Sequence, residues 1–307
     1  MTGERTPSSG ELYLVDWVDD VDGVDVSTAS TKSITSTAST KVGGYTQLVR
    51  FAFIGGIYSN YHALVATLSD IARRGVDRTF FLGDLGAFGP FPNRVPELLI
   101  DRRIEGIQGN YEESLSTRAT DCHCGYTDPR DNHYAQISYD YTFEQTSDAH
   151  KDWMGTLPRE IRFTAGELRF LLVHGSPRRI NEFLWRSTSP EPFLDKLCRD
   201  HDADVIVCTH TGLHWHKALE GDRHVINAGV IGRPANDGRT NVWYTLVEVN
   251  AREVNVEFVP VAYDHLRLAE EMRGQRLPEE FVETILTGWW TTCLEVLPPK
   301  ERAAGRL

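Results

Sequence analysis

The sequence predicts an α/β fold, a sheet connected by crossover helices, and three observations carry that expectation. Short apolar runs alternate with helix-spaced segments from Val49 onward, the signature of strand–helix–strand units. The chain is 307 residues long and 40% apolar, enough to fill a sizeable core. Residues able to hold a metal or a phosphate fall just after the apolar runs, at the edge where open α/β sheets place their ligands.

Residues 1–47 stand apart from the rest. "ELYLVDWVDDVDGVD" is acidic with one strand-like run, and "STASTKSITSTASTK" is low-complexity Ser/Thr. Such a composition cannot bury a core and reads as an appended extension. The main domain is expected over residues 48–262. It opens with the strand "VRFAFIGG", broken at Gly55 and Gly56, and the helix "YHALVATLSDIARRG". The strand "RTFFLGD", the helix "NRVPELLIDR" and the strand "RIEGIQGN" follow. Further on, "LRFLLVHGSP", "FLDKLCRDHDADVIVCTHTG" and "RHVINAGVIGRP" continue the alternation, and "NVWYTLVEVNAREVNVEFVPV" reads as antiparallel strands. Residues 263–307 read as helices broken at Gly274 and Pro278, packed on the domain, with Trp289 and Trp290 in the packing of the last helix.

Composition excludes several roles. A net charge of -12 argues against a dedicated nucleic-acid binder, whose affinity rests on neutralising phosphates with Lys and Arg. No apolar run approaches the roughly 18 residues of a membrane span, and "MTGERTPSSG" lacks the apolar stretch of a signal peptide. A cytoplasmic protein without a membrane partner is expected. Five cysteines, an odd number, do not suggest a disulfide framework. Cys198, Cys208 and Cys293 read as buried thiols. In "DCHCGYTDPRDNH", Asp121, Cys122, His123 and Cys124 are four adjacent residues of metal-ligand type.

The residues at the strand ends are, in order, Gly56 and Tyr58, Asp84 in "FLGDLGAFGP", Asn110 in "GIQGNYEES", His174 in "LLVHGSP" and His210 in "VIVCTHTGLH". Asp, Asn and two His supply oxygen and imidazole donors, a set suited to Mn, Fe, Zn or Ni. Singly, each has a plain explanation as a turn, cap or core residue. Together, on one edge, they read as a metal site. A dinucleotide site is not favoured, because "GGIYSN" lacks the G-x-G-x-x-G spacing.

From Val49 to Val261 the chain resembles the calcineurin-like metallophosphoesterases, in particular small bacterial members of diadenosine-tetraphosphatase or protein-phosphatase type. The family's blocks D-x-H, G-D-x-x-G, G-N-H-[DE], a lone H and G-H-x-H correspond in order to Gly56-Ile57-Tyr58, Gly83-Asp84-Leu85-Gly86-Ala87, Gly109-Asn110-Tyr111-Glu112, His174 and Thr209-His210-Thr211-Gly212. The resemblance implies a four-layer α/β/β/α sandwich and a site for two metals. It also implies that every ligand private to the first metal is replaced, by Gly56, Tyr58 and Gly212. Those of the second remain in Asn110, His174 and His210, together with the bridging Asp84. The expected cofactor is therefore one divalent transition-metal ion on Asp84, Asn110, His174 and His210, or two with the second held by other residues.

Tyr111 stands where the family has a histidine that protonates the leaving group, and tyrosine is a poor proton shuttle at neutral pH. His214, His216, Cys122, His123 and Cys124 are the candidates for a replacement ligand. The segment "DCHCGYTDPRDNHYAQISYDYT" reads as a lid over the metal edge, rich in polar Asp128, Arg130, Asp131 and His133. Arg178 and Arg179 offer guanidinium groups for a phosphate. The expected function is a phosphoesterase acting on a small phosphate ester. Tyr111, Arg178 and Arg130 are its catalytic candidates, and Asn60, Arg179, Asn227 and His133 its substrate-binding ones. The alternatives are a phospho-ligand or partner-binding protein on the same fold, and a different chemistry at a rebuilt metal site. The sequence leaves the oligomeric state open.

Overall fold

The computed structural model describes residues 48–303, so the reading of residues 1–47 as an extension lies outside the described residues. The first part of the chain runs β1 (Val49–Ile54), α1 (Tyr61–Arg73), β2 (Arg78–Phe81), α2 (Arg94–Asp101), β3 (Glu105–Gly106), α3 (Asn110–Thr117), α4 (Pro129–Gln145) and α5 (Asp148–Met154). The second runs β4 (Ile161–Ala165), β5 (Leu168–Leu172), α6 (Glu191–Asp200), β6 (Val205–Cys208), β7 (His214–Leu219), β8 (Arg223–Ala228), β9 (Val242–Asn250) and β10 (Glu253–Val261). Three helices close it, α7 (His265–Gly274), α8 (Glu279–Thr287) and α9 (Pro299–Ala303).

Among the described residues the strands form two sheets of five, in the orders β10-β9-β1-β2-β3 and β4-β5-β6-β8-β7. Side chains alternate across each strand, and this alternation builds the layers. Phe51 and Phe53 of β1 face the second sheet, where they join Phe80, Phe163 and Phe170 in one apolar cluster. Phe163 stacks on Phe170 at 4.9 Å and on Phe80 at 5.4 Å. Ala52 and Ile54 point the other way, into the cluster under α1 and α2. On the far side, Leu194, Leu197 and Cys198 of α6 cover Leu171, Ile206 and Val225. Strands buried on both faces read as continuous apolar runs, which is why they are legible in the sequence. The result is an α/β/β/α sandwich.

β1, β2 and β3 run parallel in one sheet, and β5, β6 and β8 run parallel in the other. The loops after β1, β2, β3, β5 and β6 carry the five strand-end motifs. β9 and β10 pair as an antiparallel hairpin, Val242 opposite Val261 and Asn250 opposite Glu253. α7 ends at Gly274, and Pro278 caps α8, at the two breaks expected. Their apolar faces meet Phe88, Phe91 and Tyr134 of the preceding domain.

Two expectations need correction. The segment expected to be a lid is irregular only as far as Thr127; Asp128 caps α4 by accepting from Arg130 N at 2.8 Å, and the rest is helix. The face that α4 buries is Asp131, Ala135, Ser138, Tyr139 and Thr142. That face has helical spacing but is mostly polar, so no apolar period marks it. Trp290 lies beyond the end of α8, in a separate cluster with Trp185 and Leu297, and is not part of a helix. No described helix is long and apolar enough to cross a membrane.

Candidate metal centre

Asp84, His174 and His210 are buried side by side, their ligand atoms all within 4.8 Å of one another. His174 Nε2 lies 3.0 Å from His210 Nδ1, 3.1 Å from Asn110 Oδ1 and 3.3 Å from Asp84 Oδ2. The outward atoms fix which inward atoms carry lone pairs. His174 Nδ1 meets the Leu82 carbonyl at 2.6 Å, and His210 Nε2 meets the Cys124 carbonyl at 3.2 Å. A carbonyl only accepts, so both outward nitrogens are N–H and, in neutral rings, both inward nitrogens are acceptors. Asn110 donates its amide outward to the Cys122 carbonyl at 2.9 Å and toward Cys124 Sγ at 3.4 Å, which turns its oxygen inward. Four acceptors converge on one point with no donor between them. This donor set fits a divalent transition metal, with imidazole and carboxylate as its anchors.

The same neighbours shift the charges of the cluster. Burial opposes the charge on Asp84, but His174, His210 and the Tyr111 N–H hold its carboxyl below the usual range. Burial would lower His174, yet Asp84, the Leu82 carbonyl and Glu112 outweigh it and raise the imidazole. Burial and the neighbouring His174 push His210 down to about 3. Asp84 and His210 both adopt the left-handed backbone region, at φ 56° and 67°. Non-glycine residues held there cost energy and are found where function requires them.

Glu112, which the sequence reading quoted without a role, positions Asp84. Its oxygens accept from Asp84 N, Leu85 N and Gly109 N at 2.8, 2.8 and 2.7 Å. Tyr111 is buried beside the cluster, its hydroxyl 3.0 Å from Ser138 Oγ, and burial raises its pKa. Asn60 caps α1 through Ala63 N at 3.0 Å and donates to the Gly232 carbonyl at 3.2 Å. Asn227 bridges the Thr209 carbonyl and Gly229 N, at 2.9 and 3.1 Å. Both hold the strand-end loops together from beneath.

The remaining sequence candidates lie off the cluster. Arg178 pairs with Glu182 and sits over the Phe193 ring at 4.8 Å, and Arg179 is exposed beside it. Arg130 and His133 are exposed on α4, where both pack on Tyr134. His214 and His216 lie on β7; His214 packs on Trp243 and Phe258, and His216 bonds His224 at 3.0 Å. Cys122 and Cys124, expected as thiols or metal ligands, are joined in a disulfide. Their segment meets the cluster through backbone carbonyls. Cys124 and Tyr126 close a cavity of about 10 Å³ whose other walls include Tyr58, Asp84, Tyr111 and His210.

Side chains fill the space on the Gly56 and Gly212 side. A Cβ at Gly56 would meet Tyr58 Cε1 at 2.6 Å, and one at Gly212 would meet Trp290 Cη2 at 2.8 Å and Arg233 Nη2 at 3.5 Å. Neither position has room for a ligand side chain. Nothing in the local sequence marks Trp290 as their neighbour, since the C-terminal segment returns to the site only in the folded chain.

Comparison with known proteins agrees with this fold. An uncharacterized protein of Methanocaldococcus jannaschii is 25% identical over 251 residues, covering 77% of this chain and 97% of that one. A hypothetical protein of Pyrococcus horikoshii OT3 shares the fold at a TM-score of 0.65 and 20% identity, over 79% of this chain and 100% of that chain. A metallophosphoesterase of Sphaerobacter thermophilus does so at a TM-score of 0.59 and 24% identity, again over 79% and 100%. The calcineurin-like phosphoesterase family model matches residues 49–232, more than half of the chain and all of the strand-end blocks up to Gly212, so the chain belongs to that family.

Proposed function

We propose that the chain is a metal-dependent phosphoesterase that acts on a small phosphate ester with one ion rather than two. The observation that supports it most is the convergence of four acceptors from Asp84, Asn110, His174 and His210, beside a first-metal side filled by Tyr58 and Trp290. The bound ion would polarise a phosphoryl oxygen and acidify water. The chain's own residues do the rest. Glu112 holds the Asp84 turn, and the outward N–H of each imidazole keeps its ring aimed inward. Tyr111, whose hydroxyl burial pushes above the ordinary tyrosine range, offers a hydrogen bond in place of a proton shuttle. Cys124 and Tyr126 cover the cavity, which is too small for a phosphate group, so this cover must move to admit substrate. The ion is Mn, Fe, Zn or Ni on the donor set, and the acidic chain makes a small molecule the expected partner.

The second reading is a binding protein for a phosphorylated ligand on the same fold, which Tyr111 in place of a proton-shuttling histidine favours. Metal analysis of the purified protein with a phosphate-ester panel separates the two. About one transition-metal ion per chain, with turnover abolished in Asp84→Ala and His174→Ala, is expected. Bound metal or ligand without turnover on any ester supports the second reading instead.

A further inference from the structure

Arg233 follows β8 with only 5% of its surface exposed. Its guanidinium carbon lies 3.4 Å from the Trp290 ring centroid, 5.0 Å from Phe88 and 5.8 Å from Tyr58. Among the described residues no carboxylate pairs with it, and its buried Nε has no acceptor. Aromatic faces offset part of the cost of burying a cation but give this Nε–H no acceptor. Buried charges in native proteins are paired. An orphan guanidinium of this kind calls for an anion.

The position of the group says which anion. Ile231 N and Gly232 N both donate to the Gly56 carbonyl, at 3.0 and 2.9 Å, so the Arg233 loop is seated on the Gly56–Tyr58 turn. Trp290 clamps the loop from the other side, donating Nε1 to the Pro234 carbonyl at 2.6 Å and its backbone N–H to Asn236 Oδ1 at 2.9 Å. Arg233 Nη2 lies 3.5 Å from where a Cβ at Gly212, two residues past His210, would stand. Tyr58 and Phe88, which flank the guanidinium, also wall the cavity that contains Asp84 and His210. Burial raises the Tyr58 and Tyr126 hydroxyls, and Arg233 is the charge that pulls each back, so it acts electrostatically on the cavity wall.

We propose that Arg233 binds substrate, its guanidinium taking a non-bridging oxygen of the phosphate group that lies against the Asp84, Asn110, His174 and His210 cluster. A side chain thereby supplies the positive charge that a second ion would otherwise bring, and Trp290 is the residue that positions it. The guanidinium fork matches phosphate oxygens, and it holds them without a proton that can be lost. The inference rests on the phosphoesterase reading for the class of ligand.

The test is calorimetric titration of the metal-loaded full chain with inorganic phosphate, for wild type, Arg233→Met and Arg233→Lys, with metal content and melting temperature measured alongside. Arg233→Met is expected to weaken phosphate binding about ten- to a hundredfold, the value of a charge-assisted hydrogen bond. Metal content should stay at the wild-type level, and without phosphate the variant should melt no lower, since an unpaired buried charge has been removed. Arg233→Lys should fall between the two, and where an ester is hydrolysed Arg233→Met should raise KM more than it lowers kcat. Phosphate affinity within about twofold of wild type in either variant would overturn the proposal, as would loss of metal from Arg233→Met. Should Arg233→Met not fold, Arg233→Lys alone decides. Arg233-dependent phosphate binding without turnover of any ester leaves this site standing and removes the phosphoesterase reading. Asp84-dependent hydrolysis with Arg233-independent phosphate binding does the reverse.

Discussion

Glu112 has its carboxylate turned away from the point where the four acceptors converge, yet it sets where Asp84 stands. Both of its oxygens are spent on backbone N–H groups of the Asp84 turn and of Gly109. Burial and the nearby Asp84 raise its pKa, while the Leu85 and Gly109 N–H groups resist that. In Glu112→Gln one oxygen becomes an amide donor facing N–H donors, so the turn loses an acceptor and Asp84 loses its fixed position. Metal affinity is expected to fall about 10- to 100-fold, the usual cost of losing an outer partner of a metal ligand. Calorimetric metal titration measures it, and an unchanged affinity would remove Glu112 from the positioning role. The identity of this residue was legible from its place after Gly109-Asn110-Tyr111. Its partners were not, because the Asp84 turn is 27 and 28 residues away in sequence.

At the scale of elements, β7 carries its histidines as packing residues. Burial pushes His214 down to about 4, and burial with the neighbouring His224 pushes His216 to about 4, from an ordinary 6.5. Both folded values lie below the unfolded one, so between pH 6.5 and about 4 the unfolded chain binds protons that the folded chain does not. Stability from these groups is complete above that window and is lost as pH falls through it. His216 is partly exposed, so its share is screened. Melting temperature should therefore drop from neutral pH toward pH 4, and the His214→Gln, His216→Gln double variant should show a shallower drop. Equal slopes would mean that β7 does not contribute to the acid response. α4 shows the limit of pattern reading from the opposite direction. Its buried Ser138 accepts from Phe88 N at 2.8 Å and contacts the Tyr111 hydroxyl, contacts that no hydropathy period announces.

At the scale of the whole molecule, the two sheets bring both halves of the chain to one edge, and an ion held there ties them together. Asp84 and Asn110 belong to the first sheet's loops, and His174 and His210 to the second's. Metal binding should stabilise the fold by mass action, by about 2.7 kcal/mol when free metal stands at 100 times its dissociation constant. Chelation should lower the melting temperature of wild type, and Asp84→Ala should melt at the same temperature with or without chelator. A wild type insensitive to chelation would mean that the four acceptors hold no ion in solution. The sequence by itself determined the layered α/β architecture, because strands buried on both faces are continuous apolar runs and their helices repeat near 3.6 residues. It also determined which residue types stand at the strand ends, since parallel strands put their C-terminal loops on a common edge. Tertiary structure alone decided the rest. Arg178, Arg130 and His133 are polar in the right stretch of chain but face solvent or carboxylates, whereas Arg233 and Trp290, separated by most of the C-terminal segment, meet beside Gly212. Local spacing records what a residue offers; only the packing of distant segments records what it faces.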